Sequence, residues 1–203
     1  CEDADAGRVA AEQRAQVDGV VCHGLRRGAH HGLVLVDEWL PPGRSLDREE
    51  ALAELALRYV RSHGPASVHD YAWWSGLTMA DARAGFEAAR SQLHREQSYW
   101  YAEPPPSPPR QDMAVLLANY DEYLVGYKDR SAVFDEVYRP MVDAPTHNPL
   151  FAHTIVVNGE IVGTWRRPPS DAVKDTSAVT LEARLFRALR PGEAHAVAAA
   201  SQQ

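Results

Sequence analysis

The chain has 203 residues, with 21 Lys and Arg against 28 Asp and Glu, a formal net charge of −7; 45% of it is hydrophobic and 24% charged. That make-up fits one medium or two small globular domains able to bury a core without disulfide or metal support. It argues against a protein that coats nucleic acid or anionic membrane through bulk charge, and Cys1 and Cys22 are too few for a disulfide framework.

Taken in chain order, Cys1–Ala15 is expected to be a solvated tail, and a start on Cys rather than Met reads as a piece of a longer protein. Val17–Cys22 and Leu33–Val36 flank the basic, Gly-rich stretch from His23 to Gly32, which predicts a β-hairpin with a cationic turn. Pro41-Pro42-Gly43 closes this segment. From Asp47 to His63 the apolar residues Leu52, Leu55, Ala56, Tyr59 and Val60 fall at helical spacing, and Gly64-Pro65 ends the helix. Ser67 with Asp70 has the form of a capping box, opening a short helix that Gly76 stops. Thr78 with Asp81 repeats the signal for a third helix running to about Ser91. Leu93–Arg95 and Ser98–Ala102 then read as a short hairpin.

Proline recurs from Pro104 to Pro109, which predicts a stiff extended linker. Beyond it the pattern is mostly β. Met113–Leu117 is an apolar run, and Tyr120–Tyr127 alternates like a strand. Thr154–Val157 and Ile161–Trp165 flank Asn158-Gly159, the strongest hairpin turn in the chain. Arg167-Pro-Pro-Ser-Asp is a loop, Val179–Phe186 a further strand, and a helix closes the chain. The expected class is α+β: winged helix-turn-helix units followed by a small C-terminal β-barrel. The expected domains are 1–44 (remnant wing hairpin and linker), 45–103 (winged helix), 104–110 (linker) and 111–203 (barrel with terminal helix).

Three helices followed by a two-stranded wing can present the third helix to a DNA groove, given cations on that helix and near the wing. Arg83 and Arg90 lie on the third helix, beside Asp81 and Glu87. Arg26, Arg27, His30 and His31 lie at the first hairpin, and Lys128, Arg130, Arg166 and Arg167 supply a third group. A metal reading of Cys22-His23 with His30-His31 matches no standard zinc spacing, so no metal or cofactor is expected. Trp73-Trp74 and Tyr99-Trp100-Tyr101 can stack on bases or pack a core. Asp121 and Glu122, adjacent on a strand, would point to opposite faces, leaving at most a single general base against a structural ion-pair network. There is no G-x-S-x-G, Walker loop, G-x-G-x-x-G or H-E-x-x-H.

Four blocks carry a resemblance: Asp37-Glu-Trp-Leu-Pro-Pro-Gly-Arg-Ser-Leu-Asp47, Ser62-His-Gly-Pro-Ala-Ser-Val-His-Asp-Tyr-Ala-Trp-Trp-Ser-Gly-Leu77, Tyr120-Asp-Glu-Tyr-Leu-Val-Gly-Tyr-Lys-Asp-Arg-Ser131 and Val162-Gly-Thr-Trp-Arg-Arg167. Together they resemble a bacterial winged helix DNA-binding domain family, related to glycosylases that excise bulky alkylated bases and unhook crosslinks. The resemblance implies tandem winged-helix units, a β-barrel and a DNA partner, duplex and potentially damaged, reached in the cytoplasm without a membrane. The glycosylase branch carries its activity on a Gln-x-Gln motif in its N-terminal part, and this sequence has none. The expected function is therefore duplex-backbone binding by an N-terminally truncated member, with no catalytic residue assigned. The alternatives are the non-catalytic portion of a repair glycosylase and a protein-interaction module.

Overall fold

The computed structural model describes residues 2–28, 30–104, 107, 111–168 and 181–202. The chain divides into two compact units, Cys1–Asp47 and Arg48–Gln203. No membrane-length apolar helix occurs among the described residues.

In the first unit the expected tail is a helix, α1 (Glu2–Val17). Its Ala, Glu, Gln and Arg content has high intrinsic helix propensity, which a reading based on solvation alone overlooks. The hairpin is present, but its strands reach further than expected: β1 (Val21–Arg27) pairs antiparallel with β2 (His30–Leu35). His23–Arg27 therefore belong to a strand rather than a long turn. Gly28, at φ 63, supplies the left-handed residue that lets the chain reverse so tightly. A register shift lies between His23 and Arg26. A single helical turn, α2 (Val36–Trp39), follows.

The second unit begins with α3 (Arg48–His63), which buries Ala56, Leu57, Tyr59 and Val60. Leu55, expected on that stripe, is exposed, and Leu57 takes its place. Both capping signals hold. The Ser67 hydroxyl accepts from the Asp70 amide and opens α4 (Val68–Ser75), which ends at Gly76 with φ 70. Thr78 caps α5 (Met79–Ala88), shorter than expected because the chain tightens into a 3-10 turn over Arg90–Gln92. β4 (His94–Glu96) and β5 (Tyr99–Tyr101) form the expected hairpin, and a two-residue strand, β3 (Ala66–Ser67), adds to it in the order β3-β5-β4. Tyr71, Phe86 and Trp100 fill the core between these helices and the sheet.

Of the proline-rich stretch at 104–110, residues 105–106 and 108–110 lie outside the described residues, as do 169–180 after Arg167. β6 (Ala114–Leu117), β7 (Thr154–Val157), β8 (Glu160–Arg166) and β9 (Glu182–Leu185) form one antiparallel sheet in that order. Asn158 (φ 52) and Gly159 (φ 89) make the two-residue β7–β8 turn as expected.

Two expectations fail here. The sheet is open, with β6 and β9 unpaired at its edges among the described residues, so it is not a closed barrel. Closure depends on long-range register that strand count alone does not specify. Tyr120–Tyr127 is not a strand either: Asp121 caps a helical turn, α6 (Glu122–Val125), by accepting from the Tyr123 amide. A local capping bond outweighs a short alternation, whose apolar members pack through the turn instead. β7 is buried along its whole length, with Val156 in a cluster around Leu124 and Phe134, and Ile155 and Val157 toward α7 (Pro191–Ala200).

Candidate nucleic-acid interface

The second unit joins two distant stretches of sequence around one carboxylate. Asp70, 4% exposed, lies in the first turn of α4. Its Oδ2 accepts from the Ser67 amide (3.0 Å) and the Ser67 hydroxyl (2.6 Å), while its Oδ1 accepts from the Lys128 and Asp129 amides (3.0 and 3.1 Å). A buried carboxylate is tolerated only when its lone pairs are met, and four donors meet them here. The cap of α4 thus also fixes the loop after α6.

Further bonds reinforce that join. The Tyr59 hydroxyl donates to the Gly126 carbonyl (2.9 Å), Tyr127 to the His63 carbonyl (2.7 Å), and the Trp73 indole to the Val125 carbonyl (3.2 Å). The His63 ring stacks on Tyr59 at 4.7 Å and lies 3.2 Å from the Glu122 carboxylate. Burial first, and the Asp70 charge second, hold the Tyr59 and Tyr127 phenols above their ordinary value of 10. Asp121 and Glu122 are therefore a helix cap and a partner of His63, which fits the network reading of that pair better than a general base.

Beside this join lies a cleft of about 740 Å³ whose lining includes Ser67, His69, Asp70, Tyr99, Tyr127 and Lys128. Lys128 and His69 are exposed.

The expected cations fall into several places. Arg26 and His31 are directly opposite across the first hairpin, and Arg26 donates to the Gly28 carbonyl (3.0 Å). His31 meets His23 edge-on at 5.8 Å. Arg27 and His30 are paired in the backbone register, but their side chains lie outside the described residues. Arg83 is exposed on α5 without a carboxylate partner among the described residues. Arg90 lies beyond the end of α5, 3.4 Å from Glu87. Arg166 is paired with Glu182 at 2.7 Å, and Arg167 is exposed beside it.

Arg130 is different in kind. It is half-buried, donates to the Leu124 carbonyl (2.7 Å) and lies over the Trp73 ring at 5.6 Å. Burial lowers its pKa, with Asp70 opposing. That is a packing role.

Sequence reasoning did not nominate His69. Its signal is helical: on α4, Tyr71 and Trp74 face the core, which leaves His69 and Trp73, four apart, on the outer face. No group of three or more His, Cys, Asp or Glu able to hold a metal ion occurs among the described residues.

The family model of AlkZ-like DNA glycosylases matches residues 3–203. The chain belongs to that family. No curated protein matches it. Among solved structures, the Streptomyces sahachiroi DNA glycosylase AlkZ superimposes on 91% of the chain with a TM-score of 0.63 at 21% identity. That likeness is one of fold. The chain spans about half of the AlkZ chain, 52% of its length, so the family tie concerns a portion equivalent to half of that relative.

Proposed function

We propose that this AlkZ-like chain is a DNA-binding winged-helix protein that contacts duplex backbone. In this reading α3, α4 and α5 form the helical part of a winged unit, β4 and β5 its wing, and α5 its DNA-facing helix. Arg83 on α5, Arg26 and His31 with Arg27 and His30 on the first hairpin, and Lys128 and Arg167 are the phosphate contacts. Arg90, Arg130 and Arg166 are secondary, since each already has a partner in the fold. Family membership over residues 3–203 is the observation that carries the reading. The exposed outer face of α5 supports it over a protein-interaction module.

Fluorescence anisotropy with a labelled duplex between about 50 and 200 mM salt tests this, because neutralised phosphates make log affinity fall linearly with log salt. Arg83→Ala should reduce that slope by about 0.9. No salt-sensitive binding at low ionic strength would overturn the reading.

The family description, DNA glycosylase, favours a second reading in which these residues hold DNA for a base-excising protein. With no Gln-x-Gln in the sequence, the assignment here is binding rather than excision. Release of free base from alkylated duplex by this chain would reverse that assignment.

A further inference from the structure

We propose that the cleft beside Asp70 binds one unpaired nucleotide of single-stranded DNA, with the base stacked on Tyr99 and a phosphate held by Lys128. The proposal rests on the DNA-binding reading above and adds a second kind of DNA contact to it.

Size selects the ligand class. A cube with the cleft's volume of about 740 Å³ has an edge of about 9 Å. That lies within the ~300–1,000 Å³ of small-molecule sites. A volume of that size suits a single small unit better than a helix or duplex segment laid into it. One nucleotide fits.

Tyr99 supplies a rigid stacking surface. It lies on β5, the central strand of its sheet, opposite Ser67 of β3 and Glu96 of β4. Its neighbour Trp100 points into the core, so strand alternation turns Tyr99 outward, 45% exposed. Its hydroxyl has no partner among the described residues. The other aromatic walls, Tyr123 and Tyr127, have theirs committed to the Gly159 carbonyl (2.6 Å) and the His63 carbonyl (2.7 Å). Tyr99 alone of the three is free to meet a ligand with both face and hydroxyl. Aromatic faces accept any base, so the site is tolerant of sequence.

Lys128 supplies the charge. Asp70 pins its amide, its side chain is exposed, and it has no carboxylate partner among the described residues. His69 and Ser98 add donors to the same lining. Two carboxylates oppose them. Asp70 is saturated by its four donors, but Asp129 is exposed on the lining and accepts from the Ser131 amide at 2.9 Å. Asp129 therefore weakens the hold on phosphate, which makes it the most telling residue to change.

The test uses the full chain and a short single-stranded oligodeoxynucleotide containing 2-aminopurine, whose fluorescence is quenched on stacking. Binding with quenching is expected, and inorganic phosphate should compete only weakly. Tyr99→Ala should remove the quench and weaken binding about tenfold, while Tyr99→Phe retains both. Lys128→Gln should lower the salt slope by about 0.7, and Asp129→Asn should tighten binding. Circular dichroism confirms that each variant is folded. If Tyr99→Ala leaves affinity and quench unchanged, or if phosphate competes as well as an unlabelled oligonucleotide, the site is not a nucleotide cleft. Salt-sensitive duplex binding in that event keeps the wider DNA reading and sinks only this one. Loss of both duplex and single-strand binding in the wild-type chain sinks both.

Discussion

Asp70→Ala separates two roles that one carboxylate performs. It removes the reciprocal half of the α4 capping box and also the acceptor of the Lys128 and Asp129 amides, 58 and 59 residues away. Cap loss costs about 1 kcal/mol. Each orphaned amide costs ~1–3 kcal/mol, and the lower end applies because that loop reaches solvent. The sum is about 3 kcal/mol. Urea unfolding followed by tryptophan fluorescence reads it directly, since Trp73, Trp74 and Trp100 all belong to this unit. With a slope of about 2 kcal/mol per molar, the midpoint should fall by about 1.5 M. Ser67→Ala isolates the cap and should cost only about 1 kcal/mol. Asp70→Asn keeps one acceptor oxygen and should fall between the two. The refuting result is specific: if Asp70→Ala costs no more than Ser67→Ala, within about 0.5 kcal/mol, the long-range tie contributes nothing.

Two further outcomes follow from the same unit. Gly126 has an unstrained backbone (φ −63, ψ −15), yet a Cβ there would lie 2.5 Å from His63 Cδ2 and 2.8 Å from the Glu122 carbonyl oxygen. Gly126→Ala should therefore destabilise by ~1–3 kcal/mol, and in a double-mutant cycle His63→Ala should relieve the share due to the ring but not that due to the carbonyl; fully additive costs would show that the ring is not an obstacle. Glu193, 2% exposed, accepts from Arg187 (2.9 and 3.1 Å), the Arg190 amide (2.8 Å) and the Arg190 side chain (2.9 Å). Arg187 foremost, then the Arg190 amide, hold its pKa down from 4.5 to about 2. Because the folded value is the lower one, its contribution is present above pH 4.5 and is lost as pH falls toward 2. Glu193→Gln should destabilise at neutral pH and flatten the loss of stability across that window, read as thermal midpoint against pH.

Local chemistry made much of the second unit legible. Ser67 with Asp70, Thr78 with Asp81 and Asn158-Gly159 are short-range devices, each complete within four residues, and each forms as its residue types dictate. What stayed hidden is non-local. Nothing in the capping box shows that Asp70 will also receive two amides from beyond the proline-rich stretch, and nothing in the strand pattern decides between an open sheet and a closed barrel. Tyr120–Tyr127 is a mixed case. Its alternation is real, but Asp121 followed two residues later by Tyr123 was also a readable cap, and the cap prevailed. At the candidate site, Tyr99 and Lys128 were visible as an aromatic and a cation. Their convergence was not, because it depends on Asp70.

The net charge of −7 sets a limit on how these residues can bind DNA. Six cations of the second unit were nominated: Arg83, Arg90, Lys128, Arg130, Arg166 and Arg167. Arg90 and Arg166 are paired with Glu87 and Glu182, and Arg130 is half-buried over Trp73. Arg83, Lys128 and Arg167 remain without carboxylate partners among the described residues. At about 0.9 per neutralised phosphate, those three give a salt slope near −2.7 for the second unit, about half of what all six would give. The first hairpin adds about 0.9 each for Arg26 and Arg27, and a slope well beyond that combined value would mean that the Arg90 and Arg166 pairs open on DNA. Arg90→Ala and Arg166→Ala would then each reduce it, whereas with the pairs intact neither substitution should.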